Sequence, residues 1–237
     1  CREKENLIMP FAVYLPLLGG IYLGWCLGAN SAANCFGTAV AARIVSFRKA
    51  VCLCALTVFL GAILQGQAGI QTLSSLANQS LTTIVITTVA AALTGTIMTY
   101  LAIPISSSQA IIGAIVGIGL SCHHRIDWTV FQKIILCWLS TPLVAMICAI
   151  LMYNLLRRFF ARIPMSMFTR DKILWSGLLL AGTYASYALG ANCVAIATGV
   201  FSGQIANVTD FHLLVIGAIA IGLGVVTFSR RVMHAVG

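Results

Sequence analysis

The chain has 237 residues, of which 60% are hydrophobic and only 8% charged, and its mean hydropathy is +1.00. Such a composition lies far outside the soluble globular range and marks an integral membrane protein. The formal charge of +9 would raise nucleic acid as a partner for a soluble protein, but most basic residues here sit at the ends of apolar runs, where they set topology. The expected surroundings are the lipid bilayer, with no nucleic acid.

Of the nine cysteines, Cys26, Cys35, Cys52, Cys54, Cys137, Cys148 and Cys193 fall in apolar stretches without paired metal spacing. They are expected to pack as small hydrophobes, so neither metal nor cofactor is expected. Cys1, followed by Arg2-Glu3-Lys4-Glu5-Asn6, reads as a truncation point rather than a lipidated mature terminus.

In chain order, residues 7–26 form the first long apolar run, and with 32–47 they make one membrane helix interrupted by Leu27-Gly28-Ala29-Asn30-Ser31-Ala32-Ala33-Asn34. Gly weakens a helix and an Asn amide competes for backbone partners, so the helix is expected to loosen there. It exits at Arg43, Arg48 and Lys49, the cytoplasmic end by charge. Residues 51–67 cross back, the uncharged loop 68–80 suits the outside, and 81–103 return and stop at Pro104. Pro104-Ile105-Ser106-Ser107-Ser108-Gln109 then opens the Gly-rich run 110–120, too short to span and predicted as a half-helix or re-entrant element. A polar break at 122–127, with His123, His124 and Arg125, leads to a full span at 128–156. Arg157, Arg158, Arg162, Arg170 and Lys172 make the following loop strongly basic, hence cytoplasmic. Residues 173–203 are the second interrupted helix, 211–228 the last span, and Arg230, Arg231 and His234 a further cytoplasmic end.

The Leu27-Gly28-Ala29-Asn30 core recurs as Leu189-Gly190-Ala191-Asn192. With the basic segments inside, the first motif helix runs inward and the second outward, provided that 110–120 counts as a crossing. Antiparallel copies of this kind define an inverted-topology repeat, recurrent in transporters with sites near the midplane. The expected fold is an all-α polytopic membrane protein with inverted repeats, broken helices and one half-helix or re-entrant element. Its parts are a first transmembrane repeat (1–156), a basic cytoplasmic loop (157–172) and a partial second repeat (173–237). The N-terminus is expected outside and the C-terminus inside. The counterpart of Pro104 would lie beyond Gly237, so the chain reads as a repeat and a half, with an open groove where the missing element belongs.

Asn30, Ser31, Asn34 and Asn192 are polar groups inside the apolar runs, where an uncompensated one costs several kcal/mol. They serve either as glue between helices or as a ligand site, and the duplication favours the ligand site. At 104–109, Pro suits a first helical turn and Ser a helix N-cap. Ser106, Ser107 and Ser108 would add hydroxyl donors to the free N–H groups and positive dipole of a short helix, a combination that binds anions. The alternative is a Ser-capped turn at the membrane surface. The five acids, Glu3, Glu5, Asp127, Asp171 and Asp210, all lie in loops or at the terminus. An anion site would therefore meet no fixed negative charge, and coupling to Na+ or H+ has no intramembrane carboxylate to support it. His123 and His124 read as surface residues, since no Cys, Asp or Glu stands at ligand spacing. Without a visible Ser-His or intramembrane Asp pair, an enzyme is not expected.

These residues resemble the inorganic phosphate transporter (PiT) family of secondary transporters. Its duplicated Gly-Ala-Asn-Asp motif, continued by a small residue, Ala and Asn, is similar to Gly28-Ala29-Asn30-Ser31-Ala32-Ala33-Asn34 and in part to Gly190-Ala191-Asn192-Cys193-Val194-Ala195-Ile196. Its Pro-Val-Ser-Thr-Thr-His motif resembles Pro104 to Gln109, and its Trp-x-x-Ser/Thr-Pro-Leu span resembles Trp138-Leu139-Ser140-Thr141-Pro142-Leu143. The motif Asp, which the resemblance implies binds coupling sodium and substrate, is Ser31 in one copy and Cys193 in the other. The second copy's Asn is Ile196, and the His is Gln109. A sulfate-permease branch of the family similarly lacks these Asp residues. Chemistry points the same way: sulfate only accepts hydrogen bonds and suits neutral donors, whereas hydrogen phosphate also offers a proton to an acceptor such as a carboxylate. The expectation is a transporter of an inorganic tetrahedral oxyanion in the plasma or inner membrane, sulfate ahead of phosphate. Its substrate would be held by Gly28, Ala29, Asn30, Ser31, Asn34, Ser106, Ser107, Ser108, Gln109, Asn192 and Cys193. The alternatives are a sodium- or proton-coupled phosphate symporter, a passive anion channel and a non-transporting membrane subunit. A homo-oligomer is compatible with the sequence, which does not specify one.

Overall fold

Long apolar stretches can enter a bilayer only with their backbone groups paired within the segment, and helix does this locally. The computed structural model describes residues 15–74, 80–122, 126–162, 166–205 and 208–236. Along them run α1 (Leu17–Ala41), α2 (Phe47–Ser74), α3 (Leu81–Tyr100), α4 (Ser107–Ser121), α5 (Trp128–Arg162), α6 (Met167–Thr198), a 3-10 turn (Gly199–Phe201), α7 (Asp210–Phe228) and α8 (Arg230–Val236). Five of these, α2, α3, α5, α6 and α7, are long and apolar enough to cross a membrane. The protein is thus an all-α polytopic membrane protein. At 15 residues α4 reaches only about 22 Å, short of the roughly 30 Å hydrocarbon core, and it is the short helix expected after Pro104.

The central helix is α1, which packs against α3, α6, α7 and α8. It runs unbroken from Leu17 to Ala41, and α6 runs unbroken from Met167 to Thr198. The interruptions expected at residues 28–30 and 190–192 are therefore absent; the second helix gives way only at Thr198, to the 3-10 turn. Two physical reasons account for the difference. The Asn30 amide finds partners on a neighbouring segment and so leaves its own helical backbone alone. The motif glycines serve close helix approach instead of chain loosening, as small residues do at membrane helix interfaces.

That close approach is reciprocal. A methyl group added at Gly28 would fall on the backbone carbonyl of Ile221 in α7, and one added at Gly224 of α7 would fall on the carbonyl of Trp25 in α1. In the same way, Gly190 of α6 lies against the carbonyl of Val58 in α2, and Gly61 of α2 against that of Tyr187 in α6. In all four cases the glycine meets the carbonyl of the residue three positions before the opposing glycine. Direction follows from other contacts: Gly20 approaches Ala197 while Phe36 approaches Gly182, so α1 and α6 are antiparallel. The pairs Gly24 with Gly217 and Gly28 with Ile221 make α1 and α7 parallel.

Among the described residues, the basic side chains other than Lys133 gather at one end. Ile44 shares one groove with Asp171, Lys172 and Trp175 at the start of α6, and Lys49 shares an adjoining one with Ile44 and Trp175. Arg230 lies over the Phe47 ring at 5.8 Å, and Arg231 over Tyr100 at 4.9 Å.

Several expected boundaries move. Helix α2 starts at Phe47, taking Arg48 and Lys49 into its first turn, and extends to Ser74 through part of the expected loop at 68–80. The segment 157–172 is mostly helix ends, since α5 continues to Arg162 and α6 starts at Met167. Residues 1–14, His123, His124 and Arg125 lie outside the described residues. Cys26, Cys54 and Cys193 are buried as expected, but Cys52, Cys137 and Cys148 are exposed on helix faces. Hydrocarbon is as apolar as a core, so burial against protein is not required of Cys52 or Cys148. Helix α5 has no buried residue at all. Only Val130, Phe131, Ile134 and Trp138, near its start, pack against the bundle.

Candidate functional site

The site begins with a hydrogen-bonded turn. Helix α3 ends with Ala102 in the left-handed region (φ 59°), which lets the N–H groups of Ala102 and Ile103 return to the carbonyls of Thr99 and Met98. Asn30, 1% exposed in the middle of α1, secures this turn. Its Nδ2 donates to Thr99 Oγ1 at 3.0 Å and to the Ile103 carbonyl at 3.3 Å, and its Oδ1 accepts from the Ile105 N–H at 3.2 Å. The chain beyond Pro104 is thereby held at the level of the centre of α1.

From there Ser106 caps α4 in extended conformation, its Oγ accepting from the Gln109 N–H at 3.4 Å. The cap leaves the Ser106 O–H able to donate elsewhere, and the N–H groups of the first turn lie free at the positive end of the helix dipole. This end of α4 borders a cavity of about 780 Å³. Ser106 and Ser108 line it together with Ala68, Gly69 and Gln71 of α2, Val130, Lys133, Ile134, Cys137 and Trp138 of α5, and Asn192, Ala195 and Ile196 of α6. The lining residues lie at the ends of α2, α5 and α6 that are remote from the basic cluster.

Three expected site residues, Ser106, Ser108 and Asn192, thus meet at one cavity. The others do not line it. Gly28, Ala29, Asn30 and Ser31 are buried in the packing around α1, and Cys193 is 4% exposed inside α6. Asn34 and Gln109 are exposed and Ser107 is half-buried. No described acid borders the cavity: Asp127 accepts from the backbone of Thr129 and Val130, Asp210 accepts from Gln67 and Ser202, and Asp171 lies in a groove beside Lys172. The cavity therefore presents hydroxyl and amide groups, free helix N–H groups and one ammonium group. Lys133 is the member that no motif marks. It was nevertheless readable as the single charge between Trp128 and Leu156, because an ionisable residue inside a membrane span signals function by default.

Residues 27–176 match the phosphate transporter family, and the chain belongs to that family of membrane transporters. Among its relatives is a protein of Methanocaldococcus jannaschii named "Putative phosphate permease MJ0630", 29% identical over 93% of this chain and 68% of that protein. Another is the sulfate permease CysP of Bacillus subtilis, 30% identical over 93% of this chain and 63% of its length. The chain spans 50% of a Chlamydia muridarum relative that is 28% identical. Among solved structures, the sodium-dependent phosphate transporter superposes with a TM-score of 0.76 at 21% identity, covering 94% of this chain and 77% of that one. That likeness concerns the fold.

Proposed function

We propose that this protein is a secondary transporter of an inorganic tetrahedral oxyanion and that sulfate is its preferred substrate. The observation that carries the reading is the cavity at the start of α4, where Ser106, Ser108 and Asn192 converge and none of the described carboxylates is present. Sulfate has no proton to give, so a lining rich in donors serves it, whereas a carboxylate would repel it. The substrate-binding set extends to the other motif residues through the helices they position. With no described acid at this cavity, sodium or proton coupling has no carboxylate there to draw on.

Phosphate symport is the second reading, favoured by the names of the M. jannaschii relative and of the solved transporter. The proposed placement is the plasma or inner membrane, with residues 157–172 and the C-terminus in the cytoplasm and the N-terminus outside. The clustering of Lys49, Lys172, Arg230 and Arg231 at one end supports it. In this orientation the cavity lies towards the outer side. The antiparallel α1 and α6, with their reciprocal glycine contacts, support an inverted pair of repeats, 1–156 and 173–237.

The test is uptake of radiolabelled sulfate and phosphate by the full-length protein in proteoliposomes, with cross-competition, with and without sodium. Sulfate uptake that phosphate inhibits poorly supports the first reading. Sodium-dependent phosphate uptake with no sulfate uptake replaces it with the second, and conductance without coupling would make the protein a channel.

A further inference from the structure

An ammonium group on a membrane helix ordinarily bends towards water along whichever face lies nearest. Lys133 is exposed, but it stands on the side of α5 that borders the cavity rather than on the opposite face. Val130, Phe131, Ile134 and Trp138 pack against the bundle, and Lys133 and Cys137, both exposed, flank that stripe and line the same cavity as Ser108 and Asn192. Residues on the other faces, such as Leu136 and Leu139, are both 65% exposed. None of the described acids borders this cavity, so Lys133 carries a positive charge there without a carboxylate beside it.

We infer that Lys133 is the charge-matching residue of the anion site, binding the oxyanion directly and setting its preference for a dianion over a monoanion. The inference rests on the oxyanion-transport reading and adds the residue that selects charge. Neutral donors can satisfy the lone pairs of an oxyanion, but they do not offset the cost of moving two negative charges out of water. One fixed cation halves the uncompensated charge, and the offset is greater for a dianion than for a monoanion. Lysine suits a ligand that must leave again, because its three donors on a flexible stem impose no rigid fork.

The experiment compares wild type, Lys133→Gln and Lys133→Arg as full-length protein in proteoliposomes. Uptake of sulfate, and of phosphate at mildly acidic pH where it is mainly the monoanion, is measured. The inference expects Lys133→Gln to raise the sulfate KM about tenfold or more, to change the monoanion KM much less, and Lys133→Arg to restore most of the sulfate affinity. A purely structural lysine would shift both substrates together. An unchanged sulfate KM in a wild type that does transport sulfate overturns the role of Lys133 and leaves the transport reading standing. A wild type that takes up neither anion overturns the reading itself, and the inference with it. If Lys133→Gln does not fold, the native lysine still gives an answer through Cys137, one helical turn away and lining the same cavity. With Cys52, Cys122 and Cys148 replaced by serine, an anionic thiosulfonate should modify Cys137 faster than a cationic one, and sulfate should slow the reaction. Equal rates with no protection by sulfate would overturn the inference.

Discussion

Asn30 is the residue on which the geometry of the site turns, although it does not touch the cavity. Both amide N–H groups and the amide oxygen are engaged with Thr99, Ile103 and Ile105. Asn30→Ala would leave the part-buried Ile105 N–H and Ile103 carbonyl without these partners, at a cost of about 1 kcal/mol for each hydrogen bond lost. The expected outcome is a lower unfolding temperature in detergent together with reduced transport, measured on the same preparation. The serines separate differently, because Ser106 and Ser108 line the cavity and Ser107 does not. Ser108→Ala should weaken anion binding by roughly 1–3 kcal/mol, the range for a hydrogen bond to a charged group, whereas Ser107→Ala should change KM little. Equal effects in an uptake assay would argue against the direct contact assigned to Ser108.

At the level of elements, the glycines decide which helices can touch. Gly28→Ala and Gly190→Ala each place a methyl on a backbone carbonyl that cannot turn aside, and overpacking of this kind costs roughly 1–3 kcal/mol. Gly113→Ala and Gly177→Ala meet nothing within 4 Å and should be neutral or gain about 0.5–1 kcal/mol through helix propensity. Thermal unfolding of the four variants in detergent checks the contrast. These glycines also show what the sequence conveys and what it does not. The duplicated Gly-Ala-Asn was visible, and so was its importance, but Gly and Asn weaken an isolated helix, so local chemistry pointed to a break. Only the opposing carbonyls of Ile221 and Val58, distant in sequence, turn the same residues into a packing surface. The start of α4 was legible because Pro104 and Ser106 act locally, through a fixed φ and a side-chain cap. The spans 81–103 and 211–228 were legible through length and hydropathy alone. The meeting of Ser108 with Asn192 and Lys133 depends on how α4, α5 and α6 pack, which no local pattern encodes.

For the whole molecule, the arrangement of charge makes a topological prediction. Arg43→Cys and Arg158→Cys should react with impermeant thiol reagents from the same side of the membrane, and the exposed native Cys122 from the other. Labelling of Cys122 and Arg158→Cys from one side would break the proposed orientation and the inverted-repeat reading with it. The central claim is that an oxyanion occupies the cavity between the start of α4 and Lys133. Selenate has the shape and charge of sulfate and scatters X-rays anomalously. The most direct measurement is the position of its anomalous peak in crystals of the full-length protein. A peak within hydrogen-bond distance of Ser106 or Ser108 and close to Lys133 is the predicted result. Occupied selenate at another site, with this cavity empty, would contradict it.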